Sequence, residues 1–215
     1  MWNLPDKMPF EAYEAIGRRC GLPASFLVAL ARKETIAADE DPRWIRFEAR
    51  PWRRTFRLNV RELRRFDRSR NARTPEARWE QFWEMHNACQ REGQHSPQTT
   101  WAAVKSHSFT AFQVMGFNHD EIGYADPANF FDDLKTVDGH VRIISRFFRS
   151  TPRLGQLAAR WDLTARTFTA GGRVRAAPLG DASEFAHHYN GPAYRRNNYD
   201  TEIARIRADV ERRYA

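Results

Sequence analysis

Residues 108–118 read SFTAFQVMGFN and residues 185–200 read FAHHYNGPAYRRNNYD. Neither stretch has the spacing of a packed helix. Each crowds glycine, asparagine and aromatic rings into a polar turn, the composition of a segment that presents backbone groups and ring faces to a ligand. Working outward, the stretch FLVALARKE (residues 26–34) places Leu27, Leu30 and Ala31 at helical spacing before Glu34, so all four share one face of a helix. A carboxylate on an apolar face is desolvated, and the negative end of the helix dipole opposes its ionisation further. Both effects favour the protonated acid near neutral pH, the state that can protonate a glycosidic oxygen. The structural alternative is a last-turn glutamate paired with an arginine.

The remaining acids and amides are read in the same way. Asp39, Glu40, Asp41 and Glu48 follow Glu34 closely and are candidate second carboxylates; the run from Asp39 to Asp41 is of the kind usually solvated. Glu48, between Phe47 and Arg50, is either a second catalytic carboxylate or a structural partner of an arginine. Gln113 carries an amide able to donate to and accept from sugar hydroxyls, and Gly116 would let the backbone approach a ligand. Tyr189, Asn190 and Gly191 could line a groove or stabilise a turn. Among the seven histidines there is no HExxH spacing, and no GxSxG, phosphate-binding glycine loop or dinucleotide fingerprint occurs. The expectation is therefore no metal and no cofactor.

Composition bounds the rest. With 215 residues, 41% of them hydrophobic and 13% aromatic, the chain fits one globular domain with a sizeable core. No apolar run approaches the roughly 18 residues of a membrane span. The start, MWNLPDKMPFEAYEAIG, lacks a basic stretch followed by an apolar block, so the expectation is synthesis in the cytoplasm with any export by another route. Cys20 and Cys89 lack metal spacing and read as core thiols. The formal net charge of +8 is carried mostly by arginine, with Lys7, Lys33, Lys105 and Lys135 the only lysines. Attraction to a polyanion and a codon bias toward arginine explain that charge equally well.

Cap residues followed by proline announce helix starts at Thr74-Pro75, Ser96-Pro97, Asp126-Pro127 and Thr151-Pro152, and Asn59 with Glu62 reads as a capping-box variant. Helices are expected near 10–20, 23–36, 59–69, 75–91, 97–106, 127–149, 152–160, 182–189 and 193–213. The stripe Phe130, Leu134, Val137, Val141, Ile144 and Phe148 marks 127–149 as the expected central helix. Arg43 to Asn59, interrupted by Pro51, reads as a short strand or an extended loop. Trp161 to Asp181, with its glycines and prolines, reads as a long surface loop.

Taken together these residues resemble the N-acetylmuramidase family of phage endolysins and bacterial cell-wall modules, a branch of the lysozyme-like superfamily. Glu34 falls at that family's catalytic acid, and Phe47 with Glu48 at its phenylalanine–glutamate pair. Phe112, Gln113, Met115, Gly116 and Asn118 match its central turn, and Gly123 with Tyr124 the pair after it. Phe185, Ala186, Tyr189, Asn190, Gly191, Pro192, Asn198 and Tyr199 match its closing segment. The chain departs from the pattern at Thr35, in the IAADED run after it, at Arg50 and at Ser108-Phe109-Thr110, and residues 162–184 look like an insertion.

The resemblance implies a mainly α, lysozyme-like single domain over residues 1–215, with a small extended or β region beside the cleft. It implies a peptidoglycan hydrolase acting between N-acetylmuramic acid and N-acetylglucosamine, with Glu34 and Glu48 as the catalytic pair. Gln113, Gly116, Asn118, Tyr124, Tyr189 and Asn190 would then be substrate-binding. The expected partners are glycan strands and the anionic wall surface, the expected state a monomer. Two other classes stay open: a degenerate muramidase fold that binds the wall or serves in a phage particle, and a basic nucleic-acid-binding protein, which would show steeply salt-dependent binding.

Overall fold

The computed structural model describes residues 4–35, 41–55, 63, 65, 66, 70–92, 97–160, 167–170, 173–176 and 180–214. In chain order the helices are α1 (Phe10–Cys20), α2 (Ala24–Glu34), α3 (Ala49–Thr55), α4 (Pro75–Glu92), α5 (Pro97–Thr100), α6 (Ala102–Lys105), α7 (Pro127–Asp133), α8 (Val137–Ser150), α9 (Pro152–Arg160), α10 (Gly180–Asn190) and α11 (Tyr199–Tyr214). The strands are β1 (Arg46–Phe47), β2 (His107–Phe109), β3 (Val114–Met115), β4 (Thr167–Ala170) and β5 (Arg173–Ala176), with short 3-10 turns at Gly116–Asn118 and Pro192–Asn197. The fold is mainly α with a small antiparallel sheet, the class expected from the sequence. The chain divides into two compact units, Met1–Lys7 with Asp41–Ile143, and Met8–Glu40 with Ile144–Ala215.

In the unit built from Met8–Glu40 and Ile144–Ala215, α2 is buried all round: every residue from Phe26 to Ala31 is inaccessible. A helix that is apolar on all faces belongs inside a core, and α2 packs against α1 and α11. The centre of this unit is therefore α2, and the long 127–149 helix expected to be central does not exist as one piece. Residues 193–213 are likewise not one helix. The 3-10 turn at Pro192–Asn197 ends at Asn198, whose φ of 48° is left-handed, and α11 begins at Tyr199. Asparagine tolerates that conformation better than most side chains. The stretch expected as a surface loop holds a hairpin, with Thr167 opposite Ala176 and Ala170 opposite Arg173. Gly171-Gly172, the two residues separating these strands, are a strong two-residue hairpin signal once the flanking TFTA and RVRA are read as strands.

The other unit is organised around aromatic rings. Its three strands run antiparallel in the order β1-β2-β3, with Phe47 opposite His107 and Phe109 opposite Val114. Phe82 on α4 is fully buried and meets Phe109 edge-on at 5.8 Å, His107 edge-on at 5.1 Å and Phe131 in a stacked arrangement at 5.5 Å. Arg43 to Asn59 contains the short strand β1, but it also contains α3. Pro51 lies in the first turn of that helix, where the missing N–H costs nothing. The expected 97–106 helix is two pieces broken at Trp101, and the expected helix over 59–69 lies largely outside the described residues, as does the Ser96 cap.

The corner between α7 and α8 has two local causes. At the far end of α7 from its Asp126 cap, Thr136 restarts the chain by accepting from the Gly139 N–H at 3.0 Å. Gly139 then sits so close to the end of α7 that a Cβ there would lie 1.8 Å from the Asp133 carbonyl oxygen. We expect Gly139→Ala to cost about 2–3 kcal/mol, because backbone rather than a mobile side chain must give way. A thermal melt should show a fall of roughly 5–10 °C for a chain of this size. An unchanged melting temperature would mean that the corner is not held by this contact.

Candidate active site

Glu34 is the last residue of α2, and Thr35 ends that helix by turning both its N–H (3.0 Å) and its hydroxyl (2.7 Å) back to the Ala31 carbonyl. The stripe of Leu27, Leu30 and Ala31 is wholly buried, whereas Glu34 at its end is partly exposed. Glu34 is thus carried by the core and is itself half-buried.

The side chain that meets it comes from the far end of the chain. The Tyr199 hydroxyl donates a hydrogen bond to Glu34 Oε1. Lys33, beside Glu34 and itself buried, donates through Nζ to the Asn197 carbonyl at 2.6 Å and lies 5.3 Å from the centre of the Tyr199 ring. Two successive residues at the end of α2 therefore grip the turn that starts α11. Burial pulls the Lys33 ammonium below the usual lysine range, and the carboxylates of Glu202 and Glu34 work against that shift. Behind Tyr199 the rings continue inward. Tyr189 is tilted against it at 6.4 Å, Phe185 stacks on Tyr189 at 5.5 Å, and Phe26 of α2 meets Phe185 edge-on at 5.2 Å. Tyr189 and Asn190, at the end of α10, are partly exposed, and Gly191 follows with a positive φ of 73°.

The remaining sequence-predicted residues belong to the other unit. Gln113 has a left-handed φ of 52° and is buried. Its amide donates to the carbonyls of Trp44 (3.2 Å) and Thr110 (3.0 Å), and its Oε1 accepts from the Ser108 hydroxyl (2.9 Å). Those three bonds hold the β2–β3 turn, and the amide faces inward to make them. Gly116 answers to packing as well: a Cβ there would lie 2.1 Å from the Val104 carbonyl oxygen, so the close approach it permits is to α6. The Asn118 carbonyl accepts from the Ile122 N–H, and its side chain is partly exposed. The Tyr124 hydroxyl donates to Asp133 at 2.6 Å, and Asp133 also accepts from Arg142. Glu48 accepts from Arg46 Nε at 2.5 Å in a partly exposed ion pair.

Asp41 corrects the reading of the acidic run, because it is buried and not solvated. Arg43 binds it through its guanidinium at 2.9 Å and through its backbone N–H at 2.8 Å. Asp39 and Glu40 lie outside the described residues. Of the two cysteines, Cys89 is a core thiol pushed up to about 12 by burial, while Cys20 is only partly buried. The residues missed from sequence are Tyr199, as the direct partner of Glu34, and Lys33. Nothing local signals a contact across 165 positions.

A mainly α fold with a small antiparallel sheet, in which a buried helix ends in a glutamate, is of the lysozyme-like class. The chain belongs to the N-acetylmuramidase family, whose model matches residues 31–211 and so takes in Glu34, the central turn and Tyr199. Membership assigns it to the peptidoglycan-degrading glycoside hydrolases. In structure it is similar to the endolysin of Burkholderia AP3 phage, with a TM-score of 0.64 and 17% identity over 98% of this chain and 74% of that one. A comparison with curated protein sequences gave no match. Among the described residues no helix is long and apolar enough to cross a membrane.

Proposed function

We propose that the protein is an endolysin-like muramidase that cleaves the glycan backbone between N-acetylmuramic acid and N-acetylglucosamine, with Glu34 as its general acid. The observation that carries this reading is the placement of Glu34, fixed by a buried helix and by Tyr199 and itself half-buried. In the reaction the Glu34 proton passes to the glycosidic oxygen while the bond from that oxygen to the anomeric carbon breaks. Positive charge builds on the sugar ring, and water supplies the oxygen that ends on the anomeric carbon. Were the muramic 6-hydroxyl to attack in place of water, the product would carry an anhydro ring and the enzyme would be a lytic transglycosylase.

Tyr189 and Asn190 are proposed to contact the sugar beside Glu34, a ring face and an amide being suited to a pyranose and its N-acetyl groups. Gln113, Gly116, Asn118 and Tyr124 enter the proposal as residues that hold the β2–β3 turn and the segment after it against their neighbours, and Glu48 as a carboxylate held by Arg46. The chain is proposed to work as one domain, and its positive charge to favour the anionic wall.

Digestion of purified sacculi tests the reading. We expect soluble muropeptides with N-acetylmuramic acid at their reducing ends, identified by mass. Reducing N-acetylglucosamine would reassign the bond, anhydro ends would reassign the acceptor, and folded, wall-bound protein that releases nothing would overturn the enzyme.

A further inference from the structure

Tyr199 is the first residue of α11, and three features besides its bond to Glu34 set its position. Asn198, in the left-handed conformation, turns the chain into α11, and its carbonyl accepts from the Glu202 N–H at 2.9 Å. Asn197, one residue earlier, is tied by its carbonyl to the Lys33 ammonium. The Tyr199 ring is itself buried between Tyr189 and the Lys33 cation. The Tyr199 hydroxyl is therefore placed by contacts that do not involve Glu34.

We propose that Tyr199 is the positioning residue of the Glu34 acid. By occupying Oε1 it orients Glu34 so that Oε2 carries the proton delivered to the leaving oxygen. This proposal rests on the muramidase reading above. Its chemistry balances without any further group. The proton on Oε2 moves to the glycosidic oxygen, the carboxyl becomes a carboxylate, and the hydroxyl already donating to Oε1 stabilises the new charge. A hydrogen bond to the charged form is worth more than one to the neutral form, so the contact strengthens as the proton leaves. That is the condition for an interaction to speed the chemical step and not merely tighten binding. Lys33 adds to it, because a cation against the ring face draws electron density from the phenol and makes its O–H a better donor.

Lys33 of α2 lies against the pair and itself feels Glu202 and Arg205 of α11, and the Tyr189 ring of α10 lies against Tyr199. All of these stay in place when only the Tyr199 hydroxyl is removed. Tyr199→Phe keeps the ring and its packing, so we expect a folded protein with kcat on solubilised glycan strands lowered about 10- to 100-fold and KM little changed. Loss of a hydrogen bond to the carboxylate makes Glu34 a weaker acid. Activity needs the protonated acid, so the alkaline limb of the kcat profile should move to higher pH. The same displacement should appear in the titration of the labelled Glu34 side-chain carboxyl carbon by NMR, a readout that packing alone would not move. If wild type is active and Tyr199→Phe shifts neither the profile nor the carboxyl titration, the proposal falls and the muramidase reading stands. If wild type releases no glycan ends, the reading falls and takes the proposal with it.

Discussion

Glu34→Gln releases no soluble muropeptides from sacculi, yet melts at the wild-type temperature and sediments with the wall as wild type does. The argument for this outcome is chemical before it is structural. Glutamine has the volume of glutamate and keeps an oxygen where Oε1 lies, so the Tyr199 hydroxyl can still donate to it. Two further contacts that fix the end of α2 leave the carboxyl out: Thr35 turns back to Ala31, and Lys33 reaches Asn197. What is lost is the transferable proton. General acid catalysis contributes about 10²–10⁴-fold to such reactions, and a sugar leaving group in neutral water departs poorly without it. The expected fall is of that size or larger, which takes lysis below detection in a turbidity assay. Retained turnover in Glu34→Gln would mean that another group supplies the proton. A variant that failed to fold would instead show that the carboxyl is structural, and the unchanged melt is the control that separates the two.

The sequence made Glu34 visible for a reason that did not extend to its partner. Three buried positions, Leu27, Leu30 and Ala31, set a helical face, and Glu34 is the next residue on it, so periodicity alone points to that acid. Tyr199 belongs to no such pattern. It opens a helix whose start is fixed by a left-handed Asn198, and a run of helix-compatible residues on either side hides that break. The α7–α8 corner was hidden in the same way. Phe130, Leu134, Val141 and Ile144 keep helical spacing across it and are all buried, so the apolar stripe cannot show that the chain turns. Thr136 with Gly139 was the readable sign, a cap and a residue without a Cβ placed together. Gln113 and Gly116 are positions whose role the sequence leaves open. Their types fit a ligand turn and a packed turn equally, and only the distances to Trp44, Thr110 and Val104 show that both look inward.

Those inward-looking turns rest on a core that carries neutral histidines, and the second large effect is expected there: stability should fall steeply between about pH 6.5 and 4. His107 and His140 are each only 1% exposed. Burial holds the His107 imidazole down to about 4 from the usual 6.5, only partly offset by its hydrogen bond from Nδ1 to the Ala103 carbonyl at 2.7 Å. Burial does the same to His140, again to about 4. The bond from Nε2 to the Leu134 carbonyl at 2.8 Å and the charges of Asp133 and Asp41 work against it. In the unfolded chain both rings take up a proton near pH 6.5; in the folded chain they do so only near 4. Between those values the unfolded state binds more protons, so stability rises with pH. The stability is fully present above the unfolded value, declines as pH falls through the window, and stops declining below the folded value. Each ring then accounts for about 3 kcal/mol, and two together rival the ~5–15 kcal/mol that holds a typical domain folded. The window from pH 6.5 to 5 lies above the usual carboxylate range and so reads the histidines. Urea melts across that window should give a falling midpoint in wild type and a shallower fall in His107→Gln, which keeps a donor but cannot charge. A midpoint that stays level from pH 6.5 to 5 would show that the two rings are already protonated or hydrated in the native state, and would remove the acid sensitivity from this core.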